Sequence, residues 1–171
     1  MDPPVEPVVG PTDSILEIWA SARLRKNEAD AEHPCPHDVQ VTALYLYVNA
    51  ALYIGLAAWC TVLPTKTSEA IGFAFTKSAA RSEYITIYGG LELGMGLFFL
   101  AAGFLPALRP AGIVFALAVY ACLALFRIGT LIAIDDLGRF PYVMLTIELP
   151  MALLAAWLTF RPGGAASTLL G

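Results

Sequence analysis

The sequence predicts an all-α integral membrane protein, a four-helix antiparallel bundle with an amphipathic helix outside it. Three observations lead there. Four apolar runs of about 20 residues each follow one another from residue 41 onward. Charged residues make up only 14% of the chain against 58% hydrophobic, and mean hydropathy is +0.69; a soluble domain carries about 25% charged residues. None of the runs alternates with period two, which excludes a membrane β-barrel.

Each element has its own grounds. Residues 1–40 form a tail whose first 14 residues are acidic and Pro-rich, not basic and then apolar, so no cleavable signal is expected. Within the tail a helix is expected over about 15–26. Ser14 and Glu17 fit a capping box. Ile15, Ile18, Trp19 and Ala22 share one face, and Arg23, Arg25 and Lys26 follow. Such a helix suits a membrane surface or a docking contact on a partner protein.

The membrane domain covers 41–163. Its first span, 41–63, is stopped by Pro64; its second, 85–105, by Pro106; its third, 112–134, by Asp135-Asp136. The fourth, 141–160, opens on Pro141, suited to a helix start, and closes at Arg161-Pro162-Gly163. Each can cross about 30 Å of hydrocarbon. The short second and third connections make their flanking helices antiparallel. The longer first connection, with Ser68 to Phe75, reads as an interfacial loop or a segment tucked under the bundle. Residues 164–171 form a C-terminal tail. Cations number five on the side of the termini (Arg23, Arg25, Lys26, Arg109, Arg161) and four on the other (Lys66, Lys77, Arg81, Arg139). That difference leans toward cytoplasmic termini.

Against this background three ionisable residues stand out. Glu92, Arg127 and Glu148 each lie inside an apolar run, where charge is expensive and usually faces a bundle interior. Each is about seven residues from the boundary opposite the termini, hence roughly 10 Å deep. At one depth on consecutive helices they form an expected polar cluster, with the guanidinium holding two carboxylates. The excess negative charge calls for a proton, a cation or a ligand's donor. Tyr88, one turn before Glu92, is placed to donate. The cluster serves either as an ionic lock on helix register or as a site for a quinone, lipid or similar small molecule.

Gly90 and Gly94, continued by Ala101, make a small-residue stripe on nearly the opposite face from Glu92, suited to close helix packing in the bundle or an oligomer. Pro150 is expected to kink the fourth span and free a carbonyl near Thr146. Asn49 reads as an interhelical hydrogen bonder. Tyr45, Tyr47, Trp59 and Tyr142 fit interfacial belts, and Cys60 and Cys122 read as small buried hydrophobes. His33, Cys35 and His37 bring three metal-ligating types together but lack a fourth, and the prolines between them make a stiff linker. No metal site is assigned. The net charge of −4 argues against nucleic-acid binding.

The run Tyr88-Gly89-Gly90-Leu91-Glu92-Leu93-Gly94-Met95-Gly96-Leu97, followed by Phe126-Arg127-Ile128-Gly129 and Glu148, resembles a bacterial family of small four-helix membrane proteins of unknown function, related to DoxX-like proteins. The resemblance covers roughly 41–160. It implies a four-helix bundle in a bacterial cytoplasmic membrane and no particular reaction. The tail before Val41 is longer than the family pattern implies, which favours a docking role. Three functions remain open. One is an accessory subunit of a larger membrane complex, bound to other membrane subunits or to copies of itself. Another is a binding or redox-linked site for a quinone, lipid or other hydrophobic ligand. A minimal transporter is the weakest, as no inverted repeat is evident. No catalytic motif marks the chain as an enzyme.

Overall fold

The computed structural model describes Ser21 and residues 36–170. The chain divides into a unit of residues 1–34 and a unit from Cys35 onward. Ser21 is helical; the proposed face of Ile15, Ile18, Trp19 and Ala22 lies outside the described residues, as do His33 and Cys35. His37 sits in the first turn of a long helix.

That helix, α1, spans Pro36–Val62. Pro64 opens the short α2, Pro64–Ala70. The second span is one continuous rod made of α3 (Ser78–Ile85), a π-helical segment (Thr86–Leu91) and α4 (Glu92–Phe104). A 3-10 turn at Pro106–Leu108 leads into α5, Arg109–Ala133. After a tight connection using positive φ at Asp136 and Gly138 comes α6, Phe140–Phe160. The C-terminal tail is not plain coil: Ala165–Leu170 forms α7, which folds back on α5 and α6.

Four helical stretches are long and apolar enough to cross a membrane: Val39–Val62, Ser78–Phe104, Pro106–Ala133 and Phe140–Phe160. The protein is a multi-pass membrane protein in a lipid bilayer. The second rod begins at Ser78, ahead of the expected Ile85, because Ser78 to Tyr84 is helix-compatible though too polar to register as membrane-spanning. Hydropathy locates the apolar part of a helix, and the helix itself runs on.

The spans pack as two pairs. α1 lies along the second rod, and α5 lies along α6; contacts between the pairs are fewer. On α1 the inward stripe is Tyr45, Leu46, Asn49, Ala50, Tyr53, Ala57 and Cys60, at helical spacing. Leu44, Val48, Leu52, Leu56 and Trp59 face out. Both faces are apolar because lipid, like the interior, accepts only apolar side chains.

Several contacts among the described residues tie the pairs together. Phe98 and Phe99 meet Phe115 of α5 with ring centroids 5.2 and 5.5 Å apart. The Tyr45 hydroxyl donates to the Met151 carbonyl of α6 at 3.0 Å. Arg161, just past α6, donates to the Thr42 hydroxyl at 3.2 Å and lies over the Trp157 ring. Tyr45 is thus a buried core residue, not an interfacial belt residue, whereas Trp59 and Tyr142 do face outward. Cys122 is exposed on the outer face of α5, against the expectation that it is buried; Cys60 is buried.

Candidate functional site

The second rod carries the residue pattern that decides the site. In a plain α-helix, residues four or seven apart share a face. Here Tyr84 and Gly89, five apart, are both buried, and Gly96, Phe99 and Gly103 continue their line. The π-helical segment Thr86–Leu91 accounts for the slip. Wide π turns add about one residue per turn and recur at functional sites. Glu92 is the first residue after this segment.

Within the protomer, close packing on this rod runs through Gly89, Gly96 and Gly103; of the stripe expected to pack in the bundle or in an oligomer, Gly90 and Gly94 stand clear of it. A Cβ at residue 96 would lie 2.7 Å from Ile54 Cγ1 and 3.0 Å from the Ile54 backbone nitrogen. One at residue 103 would lie 2.6 Å from the Tyr47 ring. One at residue 89 would overlap the Thr61 hydroxyl. At Gly90 and Gly94 nothing stands within 4 Å, and both are exposed; Ala101 is half-buried. The tight contact with α1 is therefore on the same side of the rod as Glu92, which sits between Gly89 and Gly96 by helical spacing.

Of the three intramembrane charges, two meet. Arg127 Nε donates to Glu148 Oε2 and Nη2 donates to Oε1, each at 2.5 Å. This fork-on-carboxylate geometry is the strongest form of such a pair. It closes within the α5–α6 pair, where Glu148 is buried. Glu92 forms no ion pair with Arg127. Its Oε2 is buried and accepts no hydrogen bond among the described residues. Matching depth brought Arg127 and Glu148 together because their helices are direct neighbours, while Glu92 belongs to the rod packed on α1.

Tyrosines lie near these charges. Tyr53 of α1 lies within electrostatic reach of both Glu92 and Glu148, and Tyr88 within reach of both Glu92 and Arg127. Tyr53 stacks near Phe99 and Tyr120, with centroids 5.6 and 6.3 Å away. Tyr84 and Tyr88 stack at 4.6 Å, and the Tyr84 hydroxyl donates to Cys60 Sγ at 3.6 Å. Tyr53 and Tyr120 went unnoticed in the sequence; their signal was their spacing, one turn from Asn49 and two turns before Arg127 respectively. Asn49 does not bridge helices. Its Nδ2 donates to the Tyr45 carbonyl of its own helix at 2.7 Å, and its buried Oδ1 has no hydrogen-bond partner among the described residues. Pro150 sits inside α6 without ending it.

A half-buried carboxyl with an open acceptor, a neutralised ion pair and a screen of tyrosines thus share one part of the bundle. The domain of unknown function DUF4345 matches residues 41–159. The chain belongs to this family. The DUF4345 segment takes in all four spans and the whole Glu92–Arg127–Glu148 region, and leaves out the tail before Val41. No match is found among curated proteins or among solved structures.

Proposed function

We propose that this member of the DUF4345 family is a non-catalytic subunit of a larger membrane assembly, docking through the outer face of its second rod. One observation carries the reading. Gly90 and Gly94 form a small-xxx-small groove with open space above it, while the close packing inside the protomer uses Gly89, Gly96 and Gly103 instead. A groove of that kind lets a second transmembrane helix approach closely. The partner is another membrane subunit or a second copy. Placement in a bacterial cytoplasmic membrane and kinship with DoxX-like proteins belong to this reading through the resemblance of the glycine-rich span, Phe126–Gly129 and Glu148, and cytoplasmic termini through the cation count.

The test is native mass spectrometry of the full chain from mild detergent. A stoichiometric protein partner is expected, and it should be lost in Gly90→Leu/Gly94→Leu with the protomer's thermal transition unchanged. Gly96→Leu should lower that transition instead, by overpacking of about 1–3 kcal/mol. A partner that stays bound to the double variant, or a chain that is always single, sinks the proposal.

A second reading rests on Glu92. Its unpartnered oxygen, with Tyr53 and Tyr88 close by, suits a small hydrophobic molecule that brings its own donor, such as a quinol or a lipid hydroxyl. Organic extraction of the purified protein should then yield such a molecule, and extraction of Glu92→Leu should not. Equal recovery from both would reject it.

A further inference from the structure

The first connection, between α1 and the second rod, encloses two recesses that share a wall. We propose that together they seat one anionic phospholipid of the surrounding bilayer, separately from either reading of the glycine groove or of Glu92.

The wall is Phe73, Ala74 and Phe75. On one side lies a polar cleft of about 480 Å³ lined by Ser68, Thr76, Lys77, Ser78 and Arg81 among others. Lys77, the N-cap of α3, and Arg81, four residues into it, both line the cleft. The cleft also contains Glu69, yet no carboxylate among the described residues lies within 4.0 Å of either cation. Two cations against one acid leave the cleft net positive. Lys77 caps α3 with extended backbone and no side-chain hydrogen bond, so the positive end of the helix dipole adds to the field there.

On the other side of the wall is a groove of about 410 Å³, mainly apolar, bounded by Phe73, Phe75, Tyr84, Ile87 and Tyr88, with Glu83 its single acid. Phe75 stacks edge-on against Tyr84 at 5.3 Å, which fixes the wall to the rod. The loop is held from the other end as well. Phe73 N donates to the Ser68 carbonyl at 2.8 Å, and Gly72 takes a φ of +85°, which glycine accepts at no steric cost.

Position selects the occupant. The first candidate span ends at Val62 and the second begins at Ser78, so the connection that forms both recesses lies at the ends of these spans, beside the hydrocarbon boundary. A phosphate there meets two cations without an ion pair among the described residues, and an acyl chain from the same molecule meets aromatic carbon. Basic recesses beside membrane helices recognise anionic headgroups in this way. A soluble phosphate would satisfy the cleft alone and leave the groove without purpose.

The experiment uses the full chain in micelles doped with phosphatidylglycerol or with phosphatidylcholine of the same chain length, with retained lipid counted by native mass spectrometry. One phosphatidylglycerol is expected to be retained in preference to phosphatidylcholine. Lys77→Gln/Arg81→Gln should weaken its retention by roughly tenfold or more, each basic side chain near an anionic surface contributing about fivefold. Lys66→Gln/Arg139→Gln, on exposed cations outside the cleft, should leave it unchanged. Dihexanoyl phosphatidylglycerol should bind more weakly than the long-chain form. Inorganic phosphate in excess should not displace the lipid. All four cations are exposed, and circular dichroism is the check that each variant folds. No headgroup preference, an equal loss in the control variant, indifference to chain length or displacement by phosphate would each overturn the proposal.

Discussion

Arg127 and Glu148 show how a membrane interior handles two costly side chains. Each alone would be an uncompensated charge in a medium with little water, and the paired fork removes most of that cost. The pair should then behave asymmetrically under mutation. Glu148→Leu alone is expected to destabilise the protein by about 3 kcal/mol, the lower end for a broken buried pair because Arg127 retains 23% exposure. Arg127→Leu/Glu148→Leu should recover to within about 1 kcal/mol of the parent. Unfolding titrations in mixed micelles measure both, and single and double variants of equal stability would contradict a lock. Glu92 is different, since among the described residues it has no ion-pair partner to strand. Among charges, the sequence made all three visible by their surroundings, and their common depth correctly paired two. It could not separate the third, because depth along a helix says nothing about which neighbour the helix chooses.

At the scale of elements, the second rod is where periodic reasoning broke down. A constant turn of 100° per residue would set Tyr84 and Gly89 about 140° apart. The wide turn at Thr86–Leu91 shifts the phase, so Tyr84 and Gly89 both reach α1. Two adjacent glycines, Gly89-Gly90, lie inside that turn, yet glycines are common in membrane helices and do not announce a π segment. Deleting Ile87, which faces outward, should restore plain α geometry and rotate Tyr84 off its contact with Cys60. In a background with Cys35→Ser and Cys122→Ser, maleimide labelling of Cys60 should rise severalfold in the deleted chain. Unchanged labelling would mean that the wide turn does not set the phase of Tyr84. By contrast, the helix stops were legible one by one: Pro64, Pro106, Asp135-Asp136 and Arg161-Pro162 each end or interrupt what the structure ends or interrupts.

For the whole molecule, four spans followed directly from hydrocarbon thickness, which dictates a length that few soluble helices show. The arrangement of the spans did not follow. Leu46, fully buried, and Leu52, 49% exposed, are the same residue type on one helix, because lipid and core reward the same chemistry. Only the few polar side chains break that degeneracy. The up-down order makes a simple expectation. Cysteines introduced at Ala74 and Gly138 should label from one side of a sealed vesicle, and one at Ala107 from the other. Labelling of all three from a single side would refute the four-span path.

The wide turn has a bearing on kinship. A segment of this kind equals one extra residue set into a regular rod. A relative whose second span winds evenly will align with this chain only if a one-residue gap opens between Tyr84 and Gly89. Without the gap, every position upstream is matched to a neighbour one step around the helix. Tyr84 would then be compared with a lipid-facing residue, and its pairing with Cys60 would vanish from the comparison although the fold had kept it.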